Sequence, residues 1–249
     1  MKKNILKVLL FLVLANVGFG DVIQISRDYY SIDKGKVYYG NEILEGANPK
    51  TAELIGFSLL KDDKNVYYMG EKVKDVKIKN FEKLGQNYWK NENKIYYQDK
   101  KIENADIMSF KVLNEDYAKD KNHVYSGNEV IDPSPLLGKI KNPETFEFLP
   151  NGIIYGTLYG KDKYNVYYIE NKMINCFDTY YFIYEVKGIN RDKVEVLNKW
   201  FIKDDKNIYF EGKILEGVDY NTFEVLPNGD GKDKNRSYEY LTKDELKWF

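Results

Sequence analysis

The stretch Lys61-Asp62-Asp63-Lys64-Asn65-Val66-Tyr67-Tyr68-Met69-Gly70 decides the fold, because versions of it occur seven times in the 249-residue chain. Its first tyrosine marks the copies, which lie at Tyr38, Tyr67, Tyr96, Tyr125, Tyr167, Tyr209 and Tyr238. Successive copies are 29, 29, 29, 42, 42 and 29 residues apart. A period of this size is typical of a repeat architecture, in which each copy is one supersecondary unit.

Each copy has the residue types of a β-hairpin tip. Five residues before the tyrosine stands an aspartate, or an asparagine in copy three, whose side chain can bond the backbone two residues on and open a turn. These residues are Asp33, Asp62, Asn91, Asp120, Asp162, Asp204 and Asp233. Two residues later, four of the seven copies have Gly or Asn, which tolerate the positive φ of a tight hairpin turn. A β-branched residue and aromatics then favour a strand. Residues 62–65 and 120–123 are therefore predicted to join two antiparallel strands.

The remainder of each copy predicts further short strands and one helical turn. A second tight turn such as Gly70-Glu71 leads into a returning strand, and Asn142-Pro143 has the form of a helix N-cap followed by proline. The predicted fold is all-β: tandem repeats of short antiparallel β-hairpins in an open, curved, solenoid-like array, with a propeller-like arrangement as the alternative. The open array is favoured because a repeat of 29 residues is short for a four-stranded blade, which typically takes about 40 or more.

The tyrosines divide into two groups by position. The first tyrosine of each copy is predicted to be a core residue, because one repeat cannot bury its own apolar face and each aromatic ring removes roughly 150–250 Å² from water. The second is less constant, since Ser126, Phe210 and Glu239 stand in its place in three copies. It is the better candidate for an exposed surface, where aromatic side chains stack on sugar rings or anchor a protein partner.

Added segments in copies four and five explain the two long intervals. Copy four has extra residues around 132–139, and further residues are added around 150–155 and near Tyr180-Tyr181-Phe182. Insertions in repeat proteins map to loops, often on the binding side of the array. These segments are therefore either tolerated surface loops or part of a partner-binding side.

Residues 1–20 are predicted to be a cleaved secretory signal peptide, which leaves residues 21–249 as the repeat domain. The start is rich in lysine, residues 8–15 are an unbroken apolar run, and Gly18 and Gly20 offer small residues at a cleavage point. The apolar run is too short to span a bilayer, which needs about 20 residues, so no transmembrane segment is expected in the mature chain. The protein is thus expected to be exported to the periplasm, the cell surface or the medium.

The charge of the predicted mature chain argues against a nucleic-acid partner. Without the three lysines of the signal segment, 35 of the 38 basic residues remain against 39 acidic residues. Nucleic-acid binding favours a basic patch and a high isoelectric point, whereas this chain has a sequence pI of about 6.1.

No catalytic, metal or cofactor site is predicted. His123 is the only histidine and is interpreted as an exposed turn residue, because a catalytic base or a two-histidine metal site needs further groups. Cys176 is the only cysteine and is interpreted as a buried apolar residue, with an intermolecular contact as the alternative. Asp62-Asp63 and Asp204-Asp205 suggest calcium, but calcium takes about six or more oxygen ligands, and turn capping already explains the recurrent aspartate.

The Asp-Lys-Asn-x-Val-Tyr-Tyr core resembles the DKNYY repeat family of exported bacterial proteins. Residues 62–68, 120–125, 162–168 and 204–210 carry the resemblance best, and the repeats cover about residues 25–240. The seventh copy is partial, because Ser237 replaces the β-branched residue. The resemblance implies an exported repeat protein and no particular activity.

Two functions of different classes remain open from the sequence. The first is a non-enzymatic protein of the cell envelope or secreted fraction that binds a partner protein or a glycan over an extended surface. The second is a carboxylate-dependent hydrolase acting on envelope polymers. An enzyme needs a pocket with converging ionisable groups, whereas a binding protein needs an exposed aromatic or apolar patch.

Overall fold

The computed structural model of the protein describes residues 23–24, 29–56, 58–74, 76, 78–132, 135–173 and 179–239. In these ranges the chain is all-β, with short strands, two 3-10 turns and no α-helix. None of these residues belongs to a helix long and apolar enough to cross a membrane. The predicted signal peptide and Cys176 lie outside the described residues.

The strands form seven antiparallel sheets, one for each copy of the repeat, and strands that are neighbours in a sheet are also neighbours in sequence. The first sheet contains β1 (Ile23–Gln24), β2 (Tyr30–Asp33), β3 (Lys36–Tyr39) and β4 (Glu42–Ile43). The second contains β5 (Glu53–Gly56), β6 (Leu59–Lys61), β7 (Val66–Tyr68) and β8 (Glu71–Lys72). The third contains β9 (Glu82–Lys83), β10 (Tyr88–Asn91), β11 (Lys94–Tyr97) and β12 (Lys100–Lys101). The fourth and fifth contain β13 (Lys111–Val112), β14 (Tyr117–Lys119), β15 (Val124–Ser126) and β16 (Glu129–Val130); and β17 (Glu147–Ile154), β18 (Thr157–Lys161), β19 (Val166–Met173) and β20 (Thr179–Glu185). The sixth and seventh contain β21 (Glu195–Val196), β22 (Phe201–Lys203), β23 (Ile208–Phe210) and β24 (Lys213–Ile214); and β25 (Glu224–Val225), β26 (Gly231–Lys232) and β27 (Ser237–Tyr238).

The predicted hairpin tips are confirmed. Residues 62–65 join β6 to β7, where Leu60 pairs with Tyr67, and residues 120–123 join β14 to β15, where Ala118 pairs with Tyr125. The tandem all-β array is confirmed as well, and no closed barrel or propeller is identified in the described ranges. Six of the seven sheets have four strands. A repeat of 29 residues accommodates four strands because the outer strands are as short as two residues.

The turns that accompany the hairpins differ from expectation in two respects. Among the hairpin tips, positive φ occurs only in the first and third repeats, at Lys34, Gly35 and Glu92. In the other described tips the Gly or Asn residue does not adopt the positive φ that was expected of it. The predicted helical turn is a 3-10 turn at Pro143–Thr145, and another 3-10 turn forms at Pro135–Leu137. Before the second repeat the same segment makes only a single hydrogen-bonded turn, from the Thr51 amide to the Asn48 carbonyl.

The core is divided into six clusters, one between each pair of successive sheets. The second sheet shows the pattern: Leu60 and Tyr67 pack against the first sheet, and Leu59 and Val66 pack against the third. Neighbouring side chains of a strand point to opposite faces, so each central hairpin is apolar on both faces and is buried between two neighbours. The array is therefore stabilised by contacts between adjacent repeats, as in other repeat proteins.

The two ends of the array depart from this pattern in different ways. In the seventh repeat the three positions that face a following repeat elsewhere are polar, and they are occupied by Asp230, Ser237 and Glu239. Ser237 and Glu239 are exposed. Tyr38, in the first repeat, is half-buried, whereas the other six first tyrosines are buried. The predicted core role of the first tyrosine is thus confirmed for six copies and wrong for Tyr38, because no described sheet packs on that face of the first repeat.

Replacing Tyr67 by alanine should lower the free energy of unfolding by roughly 3–5 kcal/mol, the range for removing a large aromatic side chain from a core. Tyr38→Ala is the matched control, because Tyr38 occupies the equivalent position in a half-buried setting. This variant and Tyr68→Ala should each cost less than Tyr67→Ala. Urea unfolding of the three variants measures the losses, and equal small losses would contradict the assignment of Tyr67 to the core.

Candidate functional site

The recurrent aspartate forms a compact hydrogen-bonded unit with the first tyrosine of its own repeat. Asp162 Oδ1 accepts bonds from the amides of Tyr164 and Asn165, both at 2.8 Å. Asp162 Oδ2 accepts a bond from the Asn142 amide at 2.9 Å and another from the Tyr167 hydroxyl at 2.6 Å. We call this arrangement the aspartate–tyrosine unit. It closes the hairpin tip, anchors the tyrosine and joins the hairpin to the segment that precedes its sheet.

The same unit occurs in five repeats. The distances from the tyrosine hydroxyl to Oδ2 are 3.3 Å for Tyr67–Asp62, 2.7 Å for Tyr125–Asp120, 2.6 Å for Tyr167–Asp162, 3.3 Å for Tyr209–Asp204 and 2.8 Å for Tyr238–Asp233. The amide that binds the same oxygen from the preceding segment belongs to Asn48, Asp106, Asn142, Asn190 or Asp219. The sequence predicted the turn-opening role of the aspartate. It did not predict the hydrogen bonds that the aspartate accepts from the tyrosine hydroxyl and from the preceding segment. The signal for the first bond was the constant spacing of five residues between the aspartate and the tyrosine.

Burial and hydrogen bonding act in opposite directions on these carboxylates. Burial raises the pKa of Asp162, Asp204 and Asp233, but the bonds from the tyrosine hydroxyl and the backbone amides outweigh it and hold each pKa below the ordinary value. For Asp233 the pKa falls to about 2. Burial, followed by the charge of Asp204, raises the pKa of the Tyr209 hydroxyl to about 12. The carboxylate therefore stays ionised and the phenol stays protonated at neutral pH, which suits a structural role.

The second aspartate of each Asp-Asp pair also has side-chain partners. Asp63 Oδ1 accepts bonds from Asn48 Nδ2 and Thr51 Oγ1, both at 2.9 Å. Asp205 Oδ1 accepts a bond from Asn190 Nδ2 at 2.9 Å. Over the described ranges, no group of three or more His, Cys, Asp and Glu side chains is placed to hold a metal ion. The paired aspartates thus hold the preceding segment against the hairpin tip.

His123 has a partner that the sequence did not reveal. Its Nδ1 lies 3.4 Å from Oδ1 of Asp132, a buried residue at the start of the insertion in the fourth repeat. Burial raises the pKa of Asp132, and His123 and Lys139 act in the opposite direction. The return strand β16 brings these residues together across nine positions of sequence, which explains why the contact was missed. The pair connects the hairpin tip to the insertion.

Several second aromatics lie between repeats. Tyr39, Tyr97 and Tyr168 contact Gly70, Gly127 and Gly212, which are the second-turn glycines of the following repeats. A Cβ atom added to these glycines would lie 2.7, 3.1 and 2.8 Å from the ring or Cβ of the respective tyrosine. Tyr168 and Phe210 are buried. The prediction that this position is exposed is therefore wrong for those two copies, because Tyr168 covers the turn of the next repeat and Phe210 packs in the cluster between the sixth and seventh sheets.

The added residues of the fifth repeat lengthen its sheet and place aromatic side chains on its surface. β17 and β19 are each eight residues long and β20 is seven. In β20, Tyr180, Phe182 and Tyr184 alternate along one face; Tyr180 is 39 % exposed, Tyr184 is 45 % exposed and Phe182 is half-buried. Tyr155, in the turn between β17 and β18 at the end of the sheet that carries Tyr180, is 98 % exposed. We call Tyr155, Tyr180, Phe182 and Tyr184 the aromatic row.

Charged and aromatic side chains of β19 lie beside the three aromatic residues of β20. Lys172 pairs in register with Tyr180, Glu170 with Phe182 and Tyr168 with Tyr184. The Lys172 ammonium lies 4.8 Å from the centre of the Phe182 ring and 2.7 Å from a Glu170 carboxylate oxygen. The Tyr168 and Tyr184 rings stack with 5.8 Å between centres. The row thus combines exposed rings with polar groups that form hydrogen bonds.

The insertion of the fourth repeat packs against this same sheet. Gly138 has a φ of +90°, and a Cβ atom there would lie 1.9 Å from the Ile183 carbonyl oxygen of β20. The Lys141 ammonium lies 2.5 Å from a carboxylate oxygen of Glu185, at the end of β20. The described part of this insertion therefore supports the fifth sheet.

Comparison with known proteins gives one match. A family model described as the DKNYY family matches residues 51–100 and 88–242, which is more than half of the chain. No curated protein and no solved structure matches the chain.

The aspartate–tyrosine unit should make stability sensitive to acid. Because the pKa of Asp233 is lowered from 3.8 to about 2, its stabilising contribution is complete above the unfolded value and is lost as pH falls through that interval. Asp233→Asn should cost roughly 1.5–3 kcal/mol at neutral pH, as expected for lost hydrogen bonds to a charged group, and should flatten the acid dependence between about pH 4 and 2.

Asp99→Asn is the control for this experiment, because Asp99 is an exposed aspartate in the turn between β11 and β12. Unfolding free energies from urea titrations at several pH values compare the two variants with the unaltered protein. An Asp233→Asn protein that retains the full acid dependence would contradict the role assigned to this carboxylate.

Proposed function

The chain belongs to the DKNYY family, and we propose that it is an exported, non-enzymatic repeat protein of the cell envelope or secreted fraction. In this proposal it binds a partner protein or a glycan through an extended surface of the array. The observation that carries the proposal is the aromatic row of the fifth repeat. Exposed Tyr180 of β20 and exposed Tyr155 of the turn between β17 and β18 lie toward one end of the lengthened fifth sheet, and exposed Tyr184 lies farther along β20.

The chemistry of the row favours a glycan over an apolar protein surface. Aromatic faces provide apolar area with a defined geometry, and tyrosine adds a hydroxyl that forms hydrogen bonds. Lys172 and Glu170 lie beside the rings and supply a cation and an acceptor. A sugar chain presents both apolar faces and hydroxyl groups, so it matches this mixture of rings and charges.

The use of the recurrent polar groups supports binding over hydrolysis. A hydrolase of the alternative type needs two carboxylates that face each other across the substrate. In five repeats the recurrent aspartate accepts bonds from the turn amides on one oxygen, and from an amide and a tyrosine on the other. Carboxylates held in this way stabilise the turns, and the variable fifth repeat is left to provide specificity.

Export with cleavage near Gly20 is part of the proposal, and it rests on the lysine-rich start and the apolar run of residues 8–15. The mature protein should begin near residue 21, and mass spectrometry of the protein recovered from the envelope or the medium measures its N-terminus. A protein recovered from the cell interior with Met1 still present would contradict export.

Removing two rings of the aromatic row should weaken glycan binding. Tyr155→Ser combined with Tyr180→Ser should lower affinity about 10- to 100-fold, since each aromatic contact contributes roughly 0.5–1.5 kcal/mol beyond the area that it buries. Tyr164→Ser is the matched control, because Tyr164 is exposed in the hairpin tip at the opposite end of the same sheet. Affinity electrophoresis in gels that contain purified envelope polysaccharides measures the binding.

The outcomes of this experiment separate the possible partners. Retardation that is lost in the double variant and kept in Tyr164→Ser supports a glycan ligand. A protein partner is indicated by two results together. No polysaccharide retards the protein, and a single other protein cross-links to the unaltered chain but not to the double variant. Binding that is unchanged in the double variant contradicts a role for the row.

A further inference from the structure

A cleft between the second and third repeats is lined by three lysines. It has a volume of about 460 Å³, and its walls include Lys64, Lys72 and Lys94, together with Asn91, Glu92 and Tyr96. Lys64 belongs to the hairpin tip of the second repeat and Lys94 to the start of β11, just after the tip of the third. The volume is within the range of small-molecule sites, about 300–1,000 Å³.

The third repeat differs from its neighbours at this cleft. Asn91 stands where five other repeats have the aspartate of the aspartate–tyrosine unit, so a neutral amide replaces a carboxylate. Asn91 is buried, and its Oδ1 accepts a bond from the Lys79 amide at 3.1 Å. Asn91 therefore still accepts a hydrogen bond from the preceding segment, as the aspartate does in other repeats, but it carries no negative charge.

A second departure is visible in the sequence of the segment that precedes the third sheet. The residue fourteen positions before the recurrent aspartate is Asn48, Asp106, Asn190 or Asp219 in four repeats. The corresponding residue before Asn91 is Lys77, which lies outside the described residues. In sequence, therefore, the third repeat has a neutral residue at the aspartate position and a lysine where these four repeats have Asn or Asp.

The charge of the described lining is positive. Three lysines and one glutamate give a net charge of +2 among the lining residues, although the whole chain has a formal net charge of −1. Lys61 in β6 and Lys90 in β10 are paired with Glu53 and Glu82. Within the described parts of the chain, no ion pair is formed by Lys64, Lys72 or Lys94. Like charges that line one cleft attract an anion and are stabilised by it.

We propose that this cleft binds a ligand that carries a phosphate group. A phosphate monoester has a charge of about −1.5 to −2 near neutral pH, which matches the net charge of the lining residues. Lysine ammonium groups bind phosphate as point charges with three donors each. The site is separate from the aromatic row and does not depend on the function proposed for that row.

Titration with pyrophosphate at low ionic strength tests the proposal, with isothermal calorimetry as the measurement. The sharpest variant is Asn91→Asp, because other repeats fold with aspartate at this position and the change adds one negative charge to the cleft wall. It should weaken binding about tenfold or more, as should the Lys64→Gln, Lys72→Gln, Lys94→Gln triple variant. Binding should also weaken as salt is added.

The control is a triple variant with Lys36→Gln, Lys111→Gln and Lys213→Gln, three exposed lysines of other repeats. It removes the same total charge and should bind pyrophosphate as the unaltered protein does. Equal weakening in the two triple variants, unchanged affinity in Asn91→Asp, or no binding by the unaltered protein would each overturn the proposal. The Tyr155→Ser, Tyr180→Ser protein should bind pyrophosphate normally, so failure at one site is distinguished from failure at the other.

Glycerol phosphate and a glycerol phosphate polymer identify the source of the phosphate group. Tighter binding of the polymer, counted per phosphate, assigns the cleft to a phosphate-bearing polymer. Equal or tighter binding of the free compound assigns it to a small phosphorylated molecule. Loss of binding to both compounds in Asn91→Asp supports the assigned cleft in either case.

Discussion

The hydrogen bonds on one buried carboxylate organise each regular repeat. The aspartate at the hairpin tip receives two amides of its own turn, one amide of the preceding segment and the hydroxyl of the first tyrosine. A buried carboxylate is costly unless its acceptor positions are filled, and here the donors come from three parts of the chain. The same tyrosine ring packs against the preceding sheet, so turn geometry and the contact between repeats depend on one pair of side chains.

This coupling explains how a chain of very short strands is stable. An isolated two-stranded hairpin is marginally stable in water, and many outer strands here have only two residues. Each central hairpin is apolar on both faces, and six clusters fill the spaces between seven sheets. The outer face of the seventh repeat carries the polar residues Ser237 and Glu239, whereas the corresponding positions of the second repeat are apolar and buried or half-buried against the third.

Both candidate binding surfaces lie where a repeat departs from the common pattern. The fifth repeat has longer strands, whose outer parts carry the aromatic row. The third repeat has Asn91 in place of the recurrent aspartate, and three lysines line the cleft beside it. Regular positions are committed to folding, since their polar groups are engaged in turns and their rings in clusters. The two proposed sites therefore lie at positions where the sequence of one repeat differs from that of the others.

The sequence alone determined the all-β tandem architecture, the hairpin tips and the core role of the first tyrosine in six of the seven copies, because these depend on local turn chemistry and on a repeated pattern. The sequence predicts an insertion around 132–139, and Gly138 within it packs against β20, which is a contact between different repeats. The tertiary structure decided the contact of His123 with Asp132, the burial of Tyr168 and the position of the aromatic row. It also brought Lys64, Lys72 and Lys94 to one cleft. These features depend on how neighbouring sheets stack, and the spacing of residues along one chain segment does not specify that geometry.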